Sequence, residues 1–510
     1  MTSKTRLPLR HDRLLGRLHP FLSASAVLAA FLPLVALSQA PHPAEVADRI
    51  ARVEKGLMRP SYITGQPTPR FTIEERLRDY NTAGVSVAVM HNGKIEWAKG
   101  YGVVRAGMNQ SVDSATLFQA ASISKPVAAV AALKLVEKGR LTLDADINTV
   151  LKSWKVPDNS FTATEKVTLR RLLSHSAGLT VHGFPGYAAD AKVPSVVQVL
   201  DGSPPANTAA VRVNVAPGSI WRYSGGGFTV MQLALSDVTG KPFPELMREL
   251  VLEPAGMRSS GYEQPLPEAK RAHAAIAHKG NGAVVPGSWH TYPEMAAAGL
   301  WTTPTDLLLF ARAIQRSLGG EANALLSQQI ARDFVTVQKG TYGLGVGVEG
   351  SGAAARFSHG GANEGYRCMF FAFTERGDGV AVMTNSDNGG QVASEIARAV
   401  SDVYGWGVMQ PTARQAITVD AGQLKSIAGK YLLATPTDTI QFVMRVDEGV
   451  LYAEVLPLSP KPMRLFAAEP NRFFTLESGA EFGIDRDASG AVIAIRLLNV
   501  GQPLRALRQP

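Results

Sequence analysis

Ser122 and Lys125 stand three residues apart in Phe118-Gln-Ala-Ala-Ser-Ile-Ser-Lys125, ahead of an apolar run that closes at Lys138 and Gly139. Apolar residues at Val127, Val130, Leu133 and either Leu135 or Val136 recur at helical spacing. Pro126 is tolerable only in a first turn, and Gly139 suits a left-handed stop. The pattern predicts a buried helix opened by Ser122. Residues three apart share a helix face, so the Lys125 ammonium is expected beside the Ser122 hydroxyl, where it and the positive helix end would activate an otherwise weak nucleophile. A Ser-x-x-Lys pair is a frequent chance match, so a proton carrier and oxyanion donors must come from elsewhere in the chain.

Two further stretches carry chemistry-capable residues. Tyr223-Ser224 precedes the triple glycine of residues 225–227, a backbone free of side chains and expected to be flexible, against which a phenol can face a cleft. Ser358-His359-Gly360-Gly361-Ala362 reads as a strand whose glycines let a ligand approach the backbone closely. His175, in a Ser-His-Ser turn, reads as a structural hydrogen-bonding residue. His273 and His278 have no Cys or carboxylate at ligand spacing, so no metal site is expected. Glycines 343, 345 and 347 alternate within an expected strand over residues 342–348 and lack the strand-to-helix setting of a dinucleotide site. No cofactor is expected.

The elements that must position these residues follow from periodicity. Residues 84–90 and 94–102 flank Asn92-Gly93 as a hairpin, and strands are expected again at 355–358, 366–374 and 379–384, closed by a helix over 392–404. Between them, helices are expected at 167–179, at 228–238 and after Thr303 or Thr305 as cap. Strands early and late with helices between imply one mixed antiparallel sheet flanked by helices, an α/β fold with a helical subdomain, and a site between the two. Beyond Pro411, alternating runs at 439–445, 450–455, 472–476 and 491–497 predict a small antiparallel β domain, an up-and-down barrel or a sandwich.

Composition bounds the rest. In 510 residues, 45% hydrophobic and 19% charged, a sizeable core is available and wholesale disorder is excluded. Of the net charge of +9, the first 20 residues carry +4 (Lys4, Arg6, Arg10, Arg13 and Arg17 against Asp12), which leaves a mildly basic, unclustered +5 and argues against nucleic acid. That basic start, an apolar stretch from Pro20 to Leu37 and small residues at Ser38 and Ala40 predict a signal peptide over residues 1–40 and an exported, periplasmic or extracellular protein; an uncleaved segment would serve as a membrane tether. The single cysteine, Cys368, allows no internal disulfide and reads as a buried structural thiol.

Taken in order, residues 84–89 with their hairpin, 118–125, 167–179, 217–225 and 298–306 resemble the penicillin-recognising serine hydrolases, in the branch of class C β-lactamases, D-alanyl-D-alanine carboxypeptidases and esterases. The likeness spans roughly residues 70–405, with a hydrolase domain over 41–410 and a lipocalin-like domain over 411–510. The resemblance implies acylation of Ser122, removal of its proton by Lys125 and Tyr223 together, and return of that proton by Tyr223 to the leaving group. Lys125 would favour the Tyr223 phenolate, since a free phenol has a pKa of about 10. The substrate- and oxyanion-binding strand would be His359, Gly361 and Ala362, with the N–H groups of Ser122 and Ala362 as oxyanion donors. Two positions depart from the family. Gly225 stands where an Asn amide contacts the substrate's acylamino group, and His359 replaces a lysine, putting a group that titrates near neutrality where a fixed cation would stand. The implied substrate is a small molecule or short peptide: an ester, a D-amino-acid-containing peptide or a β-lactam. The competing reading is a non-hydrolysing penicillin or peptidoglycan sensor or scaffold, and no oligomer is implied.

Overall fold

The computed structural model describes residues 43–434, 439–456, 459–499 and 504–510. The expected signal peptide over 1–40 lies outside them. Among the described residues no helix is long and apolar enough to cross a membrane.

Residues 84–90 are an unbroken buried run because both faces of their strand are covered. Strand β1 (Gly84–His91) turns at Asn92-Gly93 into β2 (Lys94–Gly102), and the sheet is completed by β3 (Gly347–Glu349), β4 (Arg356–Asn363), β5 (Tyr366–Phe373) and β6 (Gly379–Thr384). The order is β2-β1-β6-β5-β4-β3, antiparallel throughout. Side chains alternate across it. Val85, Val87 and Val89 join a core with α1 (Pro43–Glu54) and α6 (Gly389–Val403), represented by Val53, Ile396 and Val400. Ala88 and Met90 face the larger core, which contains α2 (Ser124–Glu137), α3 (Gly225–Thr239) and α5 (Pro304–Leu318). Helix α5 begins where Thr303 caps it by accepting from the Asp306 N–H at 3.2 Å, and α3 ends at Gly240 with φ +71°. Both follow ordinary start and stop chemistry.

The expected strand over 342–348 is reduced to Gly347–Glu349. Gly345 has φ +107°, and a Cβ there would stand 2.6 Å from the Ala129 Cβ of α2; one on Gly343 would stand 2.3 Å from the Phe334 carbonyl oxygen. Alternating glycines at this place serve a loop pressed against helices, not a ladder.

The terminal β region is a closed barrel of eight strands in sequential order, β7 (Gly429–Ala434), β8 (Thr439–Asp447), β9 (Val450–Leu456), β10 (Ser459–Glu469), β11 (Arg472–Phe474), β12 (Glu481–Arg486), β13 (Val492–Leu497) and β14 (Leu504–Arg508). Pairing of β7 with β14 closes it, and Tyr431, Phe442, Phe473, Phe482 and Ile495 fill its interior. This is the up-and-down barrel rather than the sandwich.

Candidate active site

Ser122 lies in a single 3-10 turn, Ala121–Ile123, that feeds directly into α2. Ala121 has φ +50°, a strained conformation for a residue with a Cβ and one that persists only where its surroundings enforce it. They do so through Ser124. Its hydroxyl donates to the Ala121 carbonyl at 2.5 Å and accepts from the Leu300 N–H at 2.9 Å, while the Tyr262 hydroxyl donates to the Ser124 carbonyl at 2.7 Å. The nucleophile turn is thereby tied to the chain that follows α4 (Met295–Ala298).

Lys125 reaches back as the spacing predicts. Its Nζ lies 3.0 Å from Ser122 Oγ and donates to the Ala297 carbonyl at 2.8 Å. The residue is 2% exposed, and burial with no carboxylate beside it pushes its pKa down to about 7. A large fraction is thus neutral near pH 7, and a neutral amine can hold its own N–H on Ala297 while its lone pair receives the Ser122 proton.

Tyr223 stands over this pair, with Lys125 Nζ 4.9 Å from the ring centroid. Burial raises its phenol above the ordinary value, and only a hydrogen bond with Ser122 offsets part of the rise. The expectation that Lys125 holds Tyr223 as a phenolate is therefore not met in the free protein: a half-neutral amine exerts little pull and the phenol keeps its proton. His175 fixes this segment. Its carbonyl accepts from the Arg222 N–H at 2.8 Å and its Nδ1 from the Ser224 N–H at 3.1 Å, so the residues on either side of Tyr223 hang from one residue. Burial keeps the His175 ring neutral, in keeping with a structural role. Ser224 then caps α3, accepting from the Gly227 N–H at 3.0 Å. The glycines of 225–227 lie in the first turn of α3 and serve close packing rather than flexibility. A Cβ on Gly226 would be 2.9 Å from the Thr180 carbonyl oxygen, and one on Gly225 would be 2.9 Å from the Phe184 ring.

The third stretch is β4, laid directly on the nucleophile turn. A Cβ on Gly361 would fall 2.2 Å from the Ala120 carbonyl oxygen and 2.5 Å from Cys368 Sγ, so only glycine permits this approach. Cys368, opposite Gly361 in the register, is buried as expected, its thiol donating to the Ala120 carbonyl at 3.0 Å. Asn363 closes the strand by donating to Gln119 Oε1 at 2.7 Å and to the Ala298 carbonyl at 3.1 Å. Ala362, between them, lines the same cleft of about 730 Å³ as Ser122, Lys125, Tyr223 and His359. The sheet edge and the helical region form its two sides.

His359 differs from its expected behaviour. Part of its ring reaches the cleft, yet the crowding around it and the nearby Lys125 push its pKa down to about 3. Both nitrogens are engaged: Nδ1 with the Gly360 carbonyl at 2.5 Å and Nε2 with the Tyr342 hydroxyl at 2.7 Å. The consistent tautomer carries its proton on Nδ1 and accepts from Tyr342 on Nε2. His359 is a neutral, internally bonded wall and not a group titrating near neutrality.

Tyr342 and Phe184 are the site residues the sequence did not disclose. Neither carries a local motif, and each becomes visible only when distant segments meet. Among the described residues no cluster of His, Cys, Asp and Glu could hold a metal ion.

The chain is 28% identical over 304 residues to Esterase EstB of Burkholderia gladioli, covering 54% of this chain and 76% of that protein. It is 24% identical over 332 residues to the putative penicillin-binding protein PbpX of Bacillus subtilis, covering 64% and 76%. The crystal structure of SurE with D-Leu aligns with a TM-score of 0.54 at 20% identity over 92% of this chain and 100% of that one, a likeness of fold. The family model described as Beta-lactamase matches residues 70–405, the span that holds the Ser122 turn, Tyr223 and β4. The chain belongs to the Beta-lactamase family and is a serine hydrolase of the β-lactamase, carboxypeptidase and esterase type.

Proposed function

We propose that this hydrolase cleaves a neutral carboxylic ester through an acyl-enzyme on Ser122. The observation that carries this reading is that the cations around the cleft are already committed. His359 is neutral and bonded to Tyr342, Arg356 is paired with Glu349, and Arg367 with Asp387 at 2.9 Å. Gly225 offers no side-chain amide to an acylamino group. A substrate carboxylate or acylamino group would enter without a partner and lose its hydration, whereas an ester needs neither.

The chemistry balances on three residues. As Ser122 Oγ bonds to the ester carbon, its proton passes to neutral Lys125, and the N–H groups of Ser122 and Ala362 take the oxyanion. The protonated Tyr223 gives its proton to the departing alkoxide as the carbon–oxygen bond breaks, and the Lys125 ammonium restores it. Water then attacks the acyl carbon, its proton goes to Lys125, and Ser122 leaves with that proton returned. The basic and apolar order of residues 1–40 supports export, so the reaction is placed outside the cytoplasm.

The test is a substrate panel on purified protein: a short-chain nitrophenyl ester, a chromogenic penicillin and a D-alanyl-D-alanine peptide, each with Ser122→Ala as control. Ester turnover at least a hundredfold above the other two, lost in the variant, is expected. Faster penicillin or peptide turnover would contradict the ester assignment, and penicillin capture without turnover would favour a sensor.

A further inference from the structure

We infer that Phe184 is a specificity-determining wall of the cleft, selecting esters whose acyl group is apolar. The inference rests on the ester-hydrolase reading and names its substrate class. Phe184 is half-buried and lines the cleft with Ser122 and Tyr223. Its ring occupies the space beside residue 225 that a side chain there would take, since a Cβ on Gly225 would meet the Phe184 ring at 2.9 Å and the His182 carbonyl oxygen at 3.1 Å. The aromatic face and the missing side chain are two halves of one arrangement.

This wall is held from both ends. On one side, the Gly225 and Gly226 N–H groups donate to the His182 and Val181 carbonyls at 2.9 and 3.0 Å, stitching the segment to the first turn of α3, directly after Tyr223 and Ser224. On the other, Tyr187 and Thr291 exchange two backbone bonds of 2.9 and 2.8 Å, and His290 Nδ1 meets the Pro185 carbonyl at 2.9 Å. A ring so anchored need not be ordered by substrate, so apolar area laid against it converts to affinity with little entropic loss. The acyl group is the substituent assigned to this wall because the ring abuts Gly225, the position matched above to a contact on the substrate's acyl side, and the alcohol series tests that assignment.

Each methylene fully seated on such a surface raises kcat/KM by up to about fourfold. The experiment compares nitrophenyl acetate, butyrate and hexanoate on the full-length protein, wild type against Phe184→Ala and Phe184→Leu, and then a series of acetate esters of differing alcohols. The wild type is expected to favour butyrate over acetate by roughly four- to fifteenfold. Phe184→Ala should lose most of that ratio, with butyrate and hexanoate turnover falling several-fold more than acetate turnover, and Phe184→Leu should keep part of it. Gly225→Ala, which pushes on the ring without altering it, should shift the ratio in the direction of Phe184→Ala. An unchanged acyl-length ratio in Phe184→Ala, or a change confined to the alcohol series, would overturn the inference and leave the ester reading standing. Absence of Ser122-dependent ester turnover in the wild type would overturn that reading itself.

Discussion

If Lys125 is the base that takes the Ser122 proton, the acylation rate must follow its neutral form. Burial without a counter-charge puts its pKa at about 7, so about one molecule in eleven carries the free amine at pH 6 and about ten in eleven at pH 8. The rate constant for acylation by a nitrophenyl ester, read by stopped-flow release of nitrophenol, should climb with unit slope below pH 7, gain roughly tenfold between pH 6 and 8, and level above. The other titratable groups facing Lys125 leave this window clear. His359 is held down at about 3, His175 is held neutral by burial, His182 is lowered below its ordinary value by burial and by Lys125, and Tyr223 is raised above its ordinary value. Lys125→Met, which keeps the volume and removes the acceptor, should lower the rate by about two to four orders of magnitude and abolish the pH dependence of what remains. A profile flat from pH 5.5 to 8.5, or one that keeps rising toward pH 10, would refute the reasoning; the latter would return the base to a Tyr223 phenolate.

Two further residues carry predictions of their own. Gly361→Ala drives a Cβ to within 2.2 Å of the Ala120 carbonyl oxygen, so β4 must part from the nucleophile turn. Stability should fall by only about 1–3 kcal/mol, measured by urea unfolding, while kcat falls about a hundredfold or more as the oxyanion donors separate. Glu294 precedes α4, fully buried with no partner for its carboxylate beyond its own backbone N–H, and burial raises its pKa from 4.5 to about 8. The folded protein therefore keeps a proton that the unfolded chain releases, so this residue's relative contribution is fully present below pH 4.5 and is lost progressively up to about pH 8. Glu294→Gln should be stabilised relative to wild type by a margin that grows across that window, to at most about 5 kcal/mol, and is constant beyond it. Parallel unfolding curves of the two proteins at pH 5 and pH 8 would contradict this.

The candidate site residues could be picked out because the chemistry they would do is written in short local motifs. The three-residue spacing of Ser122 and Lys125, the position of Tyr223 before a triple glycine, and the His359 to Ala362 strand each depend on neighbours in sequence. Their protonation states were not legible, since Lys125, Tyr223 and His359 owe their shifts to segments far along the chain that bury them. The same distinction holds for the fold. Strands β1, β2, β5 and β6 are legible as apolar runs bounded by turn residues, but Ser459–Glu469 contains Pro460 and Pro462, which argue against a strand, and it pairs only because the barrel supplies its neighbours. Residues 342–348 show the reverse error, a convincing local alternation overridden by packing against α2. Phe184 belongs with these, because its meaning arises from the empty space at Gly225, more than forty residues away.

The central claim is a covalent acyl-enzyme on Ser122, and intact-mass spectrometry of a rapidly quenched reaction tests it most directly. With a nitrophenyl ester at pH 8, the protein should gain the mass of one acyl group, located by peptide mapping on Ser122 and absent from Ser122→Ala. An adduct on another residue, or Ser122→Ala turning over the ester at the wild-type rate, would contradict the account.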